Sequence, residues 1–252
     1  MRIYDNAYEL MSETGRNLYE MGCIIKPKTY QNKVIEDNPD FVTKELESEQ
    51  YTLLSLNEED ALFTYSKSKE WARAEFHERI SNKWINPGEA YKLREDVWEE
   101  FLRPGIFPQF DYTYNERMRY SGFYKGLISP QLQSVISLLK DDPDTRKAIL
   151  TIYTISDSRY LDGSRRIPCS MYYWFGVRKY PGSDIAQLNI HYHQRSSDFV
   201  THFGNDVYLA WKLMEYVAQE TGYRPGHLIH SIDSLHVYQK DWATLKTSIQ
   251  NL

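Results

Sequence analysis

Apolar residues return at helical spacing near the start of the chain and set its first predicted element. Ala7, Tyr8, Leu10, Met11, Thr14, Leu18 and Met21 share one side, Asp5 or Asn6 supplies a cap, and Gly22 closes the helix. Residues 26–38 lose that period, begin basic and read as a loop or hairpin carrying lysines to the surface. Residues 50–56 and 61–65 have strand-like patterning. From Lys69 a helix presents Trp71, Ala74, Phe76 and Ile80; Asn86-Pro87-Gly88 interrupts it, and a second helix over 89–101 stops at Arg103-Pro104-Gly105. Ser129 and Pro130 open another helix, cap followed by proline, with Leu132, Val135, Ile136 and Leu139 as its buried stripe.

The second half alternates more strongly. AILTIYT reads as a strand with Arg146 and Lys147 at its threshold, and residues 171–177 are aromatic and β-branched enough for another. Over 185–193, Ile185, Gln187, Asn189, His191 and His193 face one way while Ala186, Leu188, Ile190 and Tyr192 face the other. Residues 207–219 form a core helix through Val207, Ala210, Trp211, Leu213, Met214 and Val217, closing near Gly222; GHLIHSIDSLHVY is a last strand before a short polar tail. This arrangement puts Cys169 at the mouth of one strand and Gln194, Arg195, Ser196 and Asp198 at the end of its neighbour. A thiol and a guanidinium on one floor suit a nucleophile beside an anion site.

Composition narrows the remaining classes. With 41% hydrophobic and 15% aromatic residues, the 252-residue chain can bury one large core, so a single domain over 1–252 is expected. A net charge of −5 with scattered basic residues argues against wrapping a nucleic acid polymer but leaves room for a local phosphate site. Two cysteines, Cys23 and Cys169, make neither a disulfide framework nor a cysteine-based zinc site. No signal-like or membrane-spanning stretch stands out, so a reducing, cytoplasmic setting is expected.

IPC, then YHQRSSDF, then HSIDSLHVY, with DPDTRKAI, VWEEF and the N-terminal helix in matching order, resemble the thymidylate synthase superfamily, specifically its nucleotide-hydroxymethylating branch. The resemblance implies an α/β (α+β) fold with a large, mostly antiparallel or mixed sheet flanked by helices and a homodimer formed through that sheet. It implies a pyrimidine nucleoside monophosphate as substrate, 5,10-methylenetetrahydrofolate as cosubstrate, and no metal. Cys169 matches the nucleophile that adds to C6. Gln194, Arg195 and Ser196 match the local nucleotide and phosphate ligands, and Arg146 and Lys147 a basic pair that crosses the dimer to act in trans. Lysine at 147, where arginine is usual, keeps charge but loses the planar fork. Lys28 falls near a mobile phosphate arginine.

His236 and Tyr238 match the pair that bonds the 3′-hydroxyl. Glu75 fits the proton-relaying carboxylate, with Glu78 as its rival, and Tyr114 the tyrosine that assists proton removal from C5, with Tyr112 as the alternative. Trp98 and Asp198 fit the pterin side. Three departures bear on substrate: Ser170 replaces a histidine after the nucleophile, His202 replaces a folate-side glycine, and Asp206 stands where an asparagine reads uracil. An asparagine amide donates to uracil O4 and accepts from N3–H at once, which a carboxylate cannot; an aspartate accepts from cytosine N4–H₂ and donates to N3 when a proton is shared between them. The expected reaction is therefore dCMP to 5-hydroxymethyl-dCMP. One residue of slippage to Asn205 restores a uracil reader, so dUMP hydroxymethylation, CMP hydroxymethylation and thymidylate synthesis stay open, as does a catalytically silent nucleotide-binding protein. Only QKDWATLKTSIQNL follows the last motif, whereas synthases close an apolar tail over folate; water attack on the C5 methylene is the expected consequence, with His202 orienting it.

Overall fold

A computed structural model describes residues 2–30, 33–119 and 130–250. Along the chain lie β1 (Arg2–Tyr4), α1 (Ala7–Met21), β2 (Cys23–Ile25), the hairpin β3 (Thr29–Tyr30) and β4 (Lys33–Val34), β5 (Thr43–Leu53) and α2 (Lys69–Ile80). They are followed by α3 (Glu95–Trp98), α4 (Tyr114–Arg119), α5 (Gln131–Asp141), β6 (Ile149–Thr151), β7 (Ser170–Lys179), β8 (Ala186–Gln194) and β9 (Ser197–Asp198). The last elements are α6 (Gly204–Thr221), β10 (Arg224–Tyr238) and α7 (Trp242–Gln250).

Period-two burial in β10, where Leu228, His230 and Ile232 are fully buried, explains why this strand sits inside the sheet. It pairs antiparallel with β5 and parallel with β8 in a mixed eight-stranded sheet of order β1-β5-β10-β8-β7-β6; β2 joins β5 and β9 joins β10. The mixed sheet flanked by helices is the expected α/β fold. Helix α6 buries Val207, Ala210, Leu213, Met214 and Val217 in the core, as its stripe predicts. Gly204 lets that helix start where it does: a Cβ there would lie 1.8 Å from the Leu62 carbonyl oxygen. Helix α1 has its predicted bounds, capped by the Asn6 side chain accepting from the Glu9 N–H and ending at Gly22.

Three expectations change. Residues 61–65 are no strand: Glu59–Phe63 is a 3₁₀ turn that drives Leu62 and Phe63 into the core beside α6. The single helix expected over 89–101 is broken into a 3₁₀ turn (Ala90–Arg94), α3, and a second 3₁₀ turn (Glu99–Phe101), which aims both Tyr91 and Trp98 at one cavity. The polar tail is instead a helix, α7, packed on α1, with Leu245 fully buried and the Trp242 Nε1–H donating to the Val237 carbonyl. The proposed Ser129 cap lies outside the described residues; Pro130 precedes α5 without a side-chain cap bond. No described helix is long and apolar enough to cross a membrane.

Candidate active site

The strand-end position of Cys169 comes from the β7–β8 pairing. Ser170 opens β7 opposite Gln194, the last residue of β8, so the residues just outside the pair, Cys169 and Arg195, meet at one sheet end. The Arg195 N–H donates to the Cys169 carbonyl at 2.9 Å, Nε donates to the Pro168 carbonyl at 2.9 Å, and Nη2 donates to the Ile167 carbonyl at 3.3 Å. Nη2 also reaches Sγ at 3.7 Å. One guanidinium thus clamps the turn carrying the thiol and keeps a positive charge beside it. Cys169 and Arg195 open onto a cavity of about 310 Å³, with Ser196, Ser197, Asp198, His236 and Tyr238 on the same wall.

Asp206 lies one turn into α6 on this cavity. Its Oδ2 accepts from Gln194 Nε2 at 2.9 Å and from Ser197 Oγ at 2.9 Å, while no described residue bonds Oδ1. Burial pushes its carboxyl up to about 6, against the hydrogen bonds from Gln194 and Ser197. The neighbouring Asn205 is committed to protein: its Oδ1 accepts from Ser68 Oγ at 2.6 Å and its Nδ2 donates to the Thr201 carbonyl at 3.1 Å.

Of the two candidate acids, Glu75 pairs with the buried Arg79 at 2.8 Å on the cavity wall. Glu78 lines the cavity too, but its Oε1 accepts from the Glu89 and Ala90 N–H groups at 2.6 and 2.9 Å, a structural clamp on the following segment. Both tyrosines line the cavity. Tyr114 lies under the Arg79 guanidinium, 3.8 Å from the ring centroid, and its hydroxyl meets Ser170 Oγ at 3.0 Å. Ser170 is fully buried between Tyr114 and Tyr192, which accounts for a small residue after the nucleophile. Burial pushes the pKa of both Tyr112 and Tyr114 up, so both phenols stay protonated and can donate.

The opposite wall is aromatic. Trp98 stacks on Trp71 at 5.6 Å and 19°, and His202 lies 5.7 Å from Trp98. Burial lowers His202 to about 4, so its ring is neutral at pH 7. Asp198 accepts from the Val200 and Thr201 N–H groups and so caps the π-helical turn Phe199–Phe203 that delivers His202. Two buried donors among the lining residues, Trp98 Nε1 and Arg166 Nε, have no partner among the described residues. Flat aromatic walls, a carboxylate and unpaired donors fit a planar, polar-edged heterocycle such as a pterin.

Four predicted ligands lie elsewhere. Lys28 is outside the cavity lining and pairs with Glu36 on the exposed hairpin at 3.4 Å. Arg146 and Lys147 are exposed at the start of β6, away from the cavity of their own chain. Gln194 is fully buried behind Asp206 and does not itself line the cavity. Tyr30 and Arg166 escaped the sequence reading. Tyr30 packs against Phe41 and Tyr238 at 5.3 and 5.8 Å, and the Arg166 guanidinium lies over Phe101 at 4.1 Å and Trp98 at 5.2 Å. Arg166 had a usable signal, an arginine three residues before the nucleophile in RRIPC.

The thymidylate synthase family profile matches residues 78–251. A protein of Methanococcoides burtonii, provisionally named a thymidylate synthase, is 29% identical over 143 residues, covering 57% of this chain and 60% of that protein. The bifunctional dihydrofolate reductase-thymidylate synthase of Acanthamoeba polyphaga mimivirus is 28% identical over 164 residues, 57% of this chain and 28% of the viral protein. The thermostable thymidylate synthase A structure from Bacillus subtilis superposes with a TM-score of 0.71 over 96% of this chain and 84% of that one, at 18% identity. The profile spans the nucleophile turn, the Arg195 clamp and α6, and the chain belongs to the thymidylate synthase family.

Proposed function

We propose that this protein converts dCMP to 5-hydroxymethyl-dCMP, using 5,10-methylenetetrahydrofolate and water and releasing tetrahydrofolate. The observation that carries the reading is Asp206, a carboxyl lining the cavity whose Oδ1 is bonded by no described residue, while the Asn205 amide is bonded into the fold. Cytosine presents N4–H₂ to an acceptor and N3 to a donor, and a carboxyl sharing one proton with N3 meets both. Asn205 also lines the cavity, but its amide already spends one acceptor site on Ser68 and one donor on Thr201.

The roles proposed for the side chains are those the family resemblance implies, and the cavity lining supports them. The Cys169 thiolate adds to C6, and the electron pair displaced from the C5–C6 bond makes C5 nucleophilic. The folate supplies a one-carbon unit at the oxidation level of formaldehyde. Arg195 places charge at the sulfur and offers its remaining donors to the phosphate, with Ser196. Glu75, held by Arg79, relays protons to the base, and Tyr114 assists loss of the C5 proton. His236 and Tyr238 hold the 3′-hydroxyl, and Trp98 and Asp198 hold the pterin. His202, neutral beside Trp98, orients the water that ends up on the C5 methylene. Mass analysis of products from dCMP, dUMP and CMP in ¹⁸O-water is the direct test. The expected product is ¹⁸O-labelled hydroxymethyl-dCMP with tetrahydrofolate; a methylated product with dihydrofolate overturns it.

The active unit in this proposal is a homodimer formed through the open face of the sheet, where Ile149, Tyr172 and Trp174 form an apolar patch with Ile149 46% exposed. Arg146 and Lys147, exposed beside that patch, then supply phosphate contacts in the partner's site. Arg146→Ala and Cys169→Ser, each inactive alone, should regain partial activity on subunit exchange, since hybrid dimers hold one intact site. Exchange shown by labelled subunits without recovered activity removes the trans contact.

A further inference from the structure

Behind Asp206 runs a buried chain of side chains whose hydrogen bonds have only one self-consistent direction. Tyr51 Oη meets His230 Nδ1 at 2.8 Å, His230 Nε2 meets Gln194 Oε1 at 2.8 Å, and Gln194 Nε2 donates to Asp206 Oδ2 at 2.9 Å. Tyr51, His230 and Gln194 are each fully buried. His230 is stacked on Tyr192 at 4.5 Å and 12°, and burial lowers it to about 3, so it carries one ring proton rather than two.

The direction is set at the far end. Tyr51 Oη has no hydrogen-bond partner other than His230 among the described residues, and a buried hydroxyl proton left unpaired costs about 1–3 kcal/mol. Tyr51 therefore donates to Nδ1, which leaves the imidazole proton on Nε2. Nε2–H needs an acceptor, so Gln194 presents its carbonyl to His230 and its amide NH₂ to Asp206. The amide requires an acceptor in turn, and Ser197 Oγ donates to the same oxygen at 2.9 Å. Oδ2 is thereby held as the unprotonated oxygen, and any proton on Asp206, which lines the cavity, sits on Oδ1, the oxygen that no described residue bonds.

We infer that Tyr51 and His230 are specificity-determining positioning residues, which fix the Gln194 amide and so present the base with an Asp206 whose shareable proton lies on Oδ1. Neither touches the nucleotide; both act through Gln194. The inference rests on Asp206 as the base reader and goes beyond it by saying what sets the reader's proton. Without the Tyr51 hydroxyl, the His230 proton can move to Nδ1, Gln194 can turn over, and its carbonyl then faces Asp206 and draws the proton to Oδ2. An Asp206 in that form offers the base a bare acceptor at Oδ1.

The test is Tyr51→Phe, which keeps the ring and its packing and deletes one oxygen. Dissociation constants for dCMP and dUMP without folate are measured on wild type, Tyr51→Phe, Asp206→Ala and the double variant; His230→Phe provides a second cut of the chain. The dCMP-to-dUMP affinity ratio should fall about fivefold or more in Tyr51→Phe and His230→Phe, and Tyr51→Phe should move the ratio less than twofold in the Asp206→Ala background, where there is neither a proton nor an amide for Gln194 to orient. Equal loss of affinity for both bases, or an unchanged ratio, overturns the relay. The wild-type preference is read separately: a wild type preferring dUMP sinks the dCMP assignment, yet the relay stands if Tyr51→Phe still moves the ratio and Asp206→Ala abolishes that effect.

Discussion

Cys169→Ser should lose at least about 10³-fold in turnover while dCMP binding stays within about tenfold of wild type. The first half follows from the chemistry: a serine hydroxyl is far less ionised than a thiol and a poorer nucleophile toward C6, and nothing near it replaces the missing reactivity. The second half follows from how Arg195 is held. Its backbone N–H bonds the Cys169 carbonyl, and its side chain bonds the carbonyls of Ile167 and Pro168, so three of its contacts survive the loss of sulfur. The phosphate floor should therefore persist when the nucleophile is gone. Single-turnover kinetics beside calorimetric binding check both halves. Turnover by the serine variant within tenfold of wild type would remove Cys169 from its role, and a collapse in affinity would mean the sulfur organises the floor.

Asp206→Asn should move the preference from dCMP toward dUMP by about five- to a hundredfold in kcat/KM, the value of one mismatched buried hydrogen bond. An asparagine oxygen can keep the Gln194 and Ser197 donors, so the local network survives while the cavity-facing atom becomes an NH₂ that suits uracil O4. The control is Asn205→Asp. That change removes the donor to the Thr201 carbonyl and sets a charge against α6, so activity should fall for both nucleotides without a directional shift. A pH signature accompanies the swap. With burial holding Asp206 at about 6 in the free protein, the form that shares a proton with N3 is depleted as pH rises past that value. The dCMP kcat/KM should carry a limb that declines above about pH 6 in wild type and is missing in Asp206→Asn. If Asp206→Asn leaves both the ratio and the limb in place, Asn205 becomes the reader.

The sequence was most informative where function and local pattern coincide. Cys169 after Pro168, the run from Arg195 to Asp198, and His236 with Tyr238 each sit at strand ends and carry the family resemblance, and all of them line one cavity. Helices α1 and α6 were legible because their stripes are long and capped. Failures came where tertiary context overrides a short pattern. Leu62 and Phe63 look like strand residues until the 3₁₀ turn beside α6 is seen, and α7 looked polar because Trp242, Leu245 and Ile249 are three apolar residues in a short stretch. Glu78 could not be set apart from Glu75 by spacing, since both stand on one helix; its partners at Glu89 and Ala90 are a product of how the chain turns. Tyr30 became visible only as lining, since nothing local marks a side chain that completes a wall built from distant segments, whereas Arg166 was marked by its place three residues before Cys169.

Strand β10 carries both His236 and Tyr238, the proposed sugar ligands, whereas the proposed base reader rides on α6. The two recognition tasks therefore have separate mutational targets. A change at the start of α6 can alter which pyrimidine is accepted without rebuilding the strand that grips the sugar, and the strand cannot drift without breaking its ladders to β5 and β8. Such a division makes substrate range the evolvable part of this scaffold and nucleotide grip the inherited part. A lineage could pass from one base to the other through a single codon while retaining a working enzyme at every step.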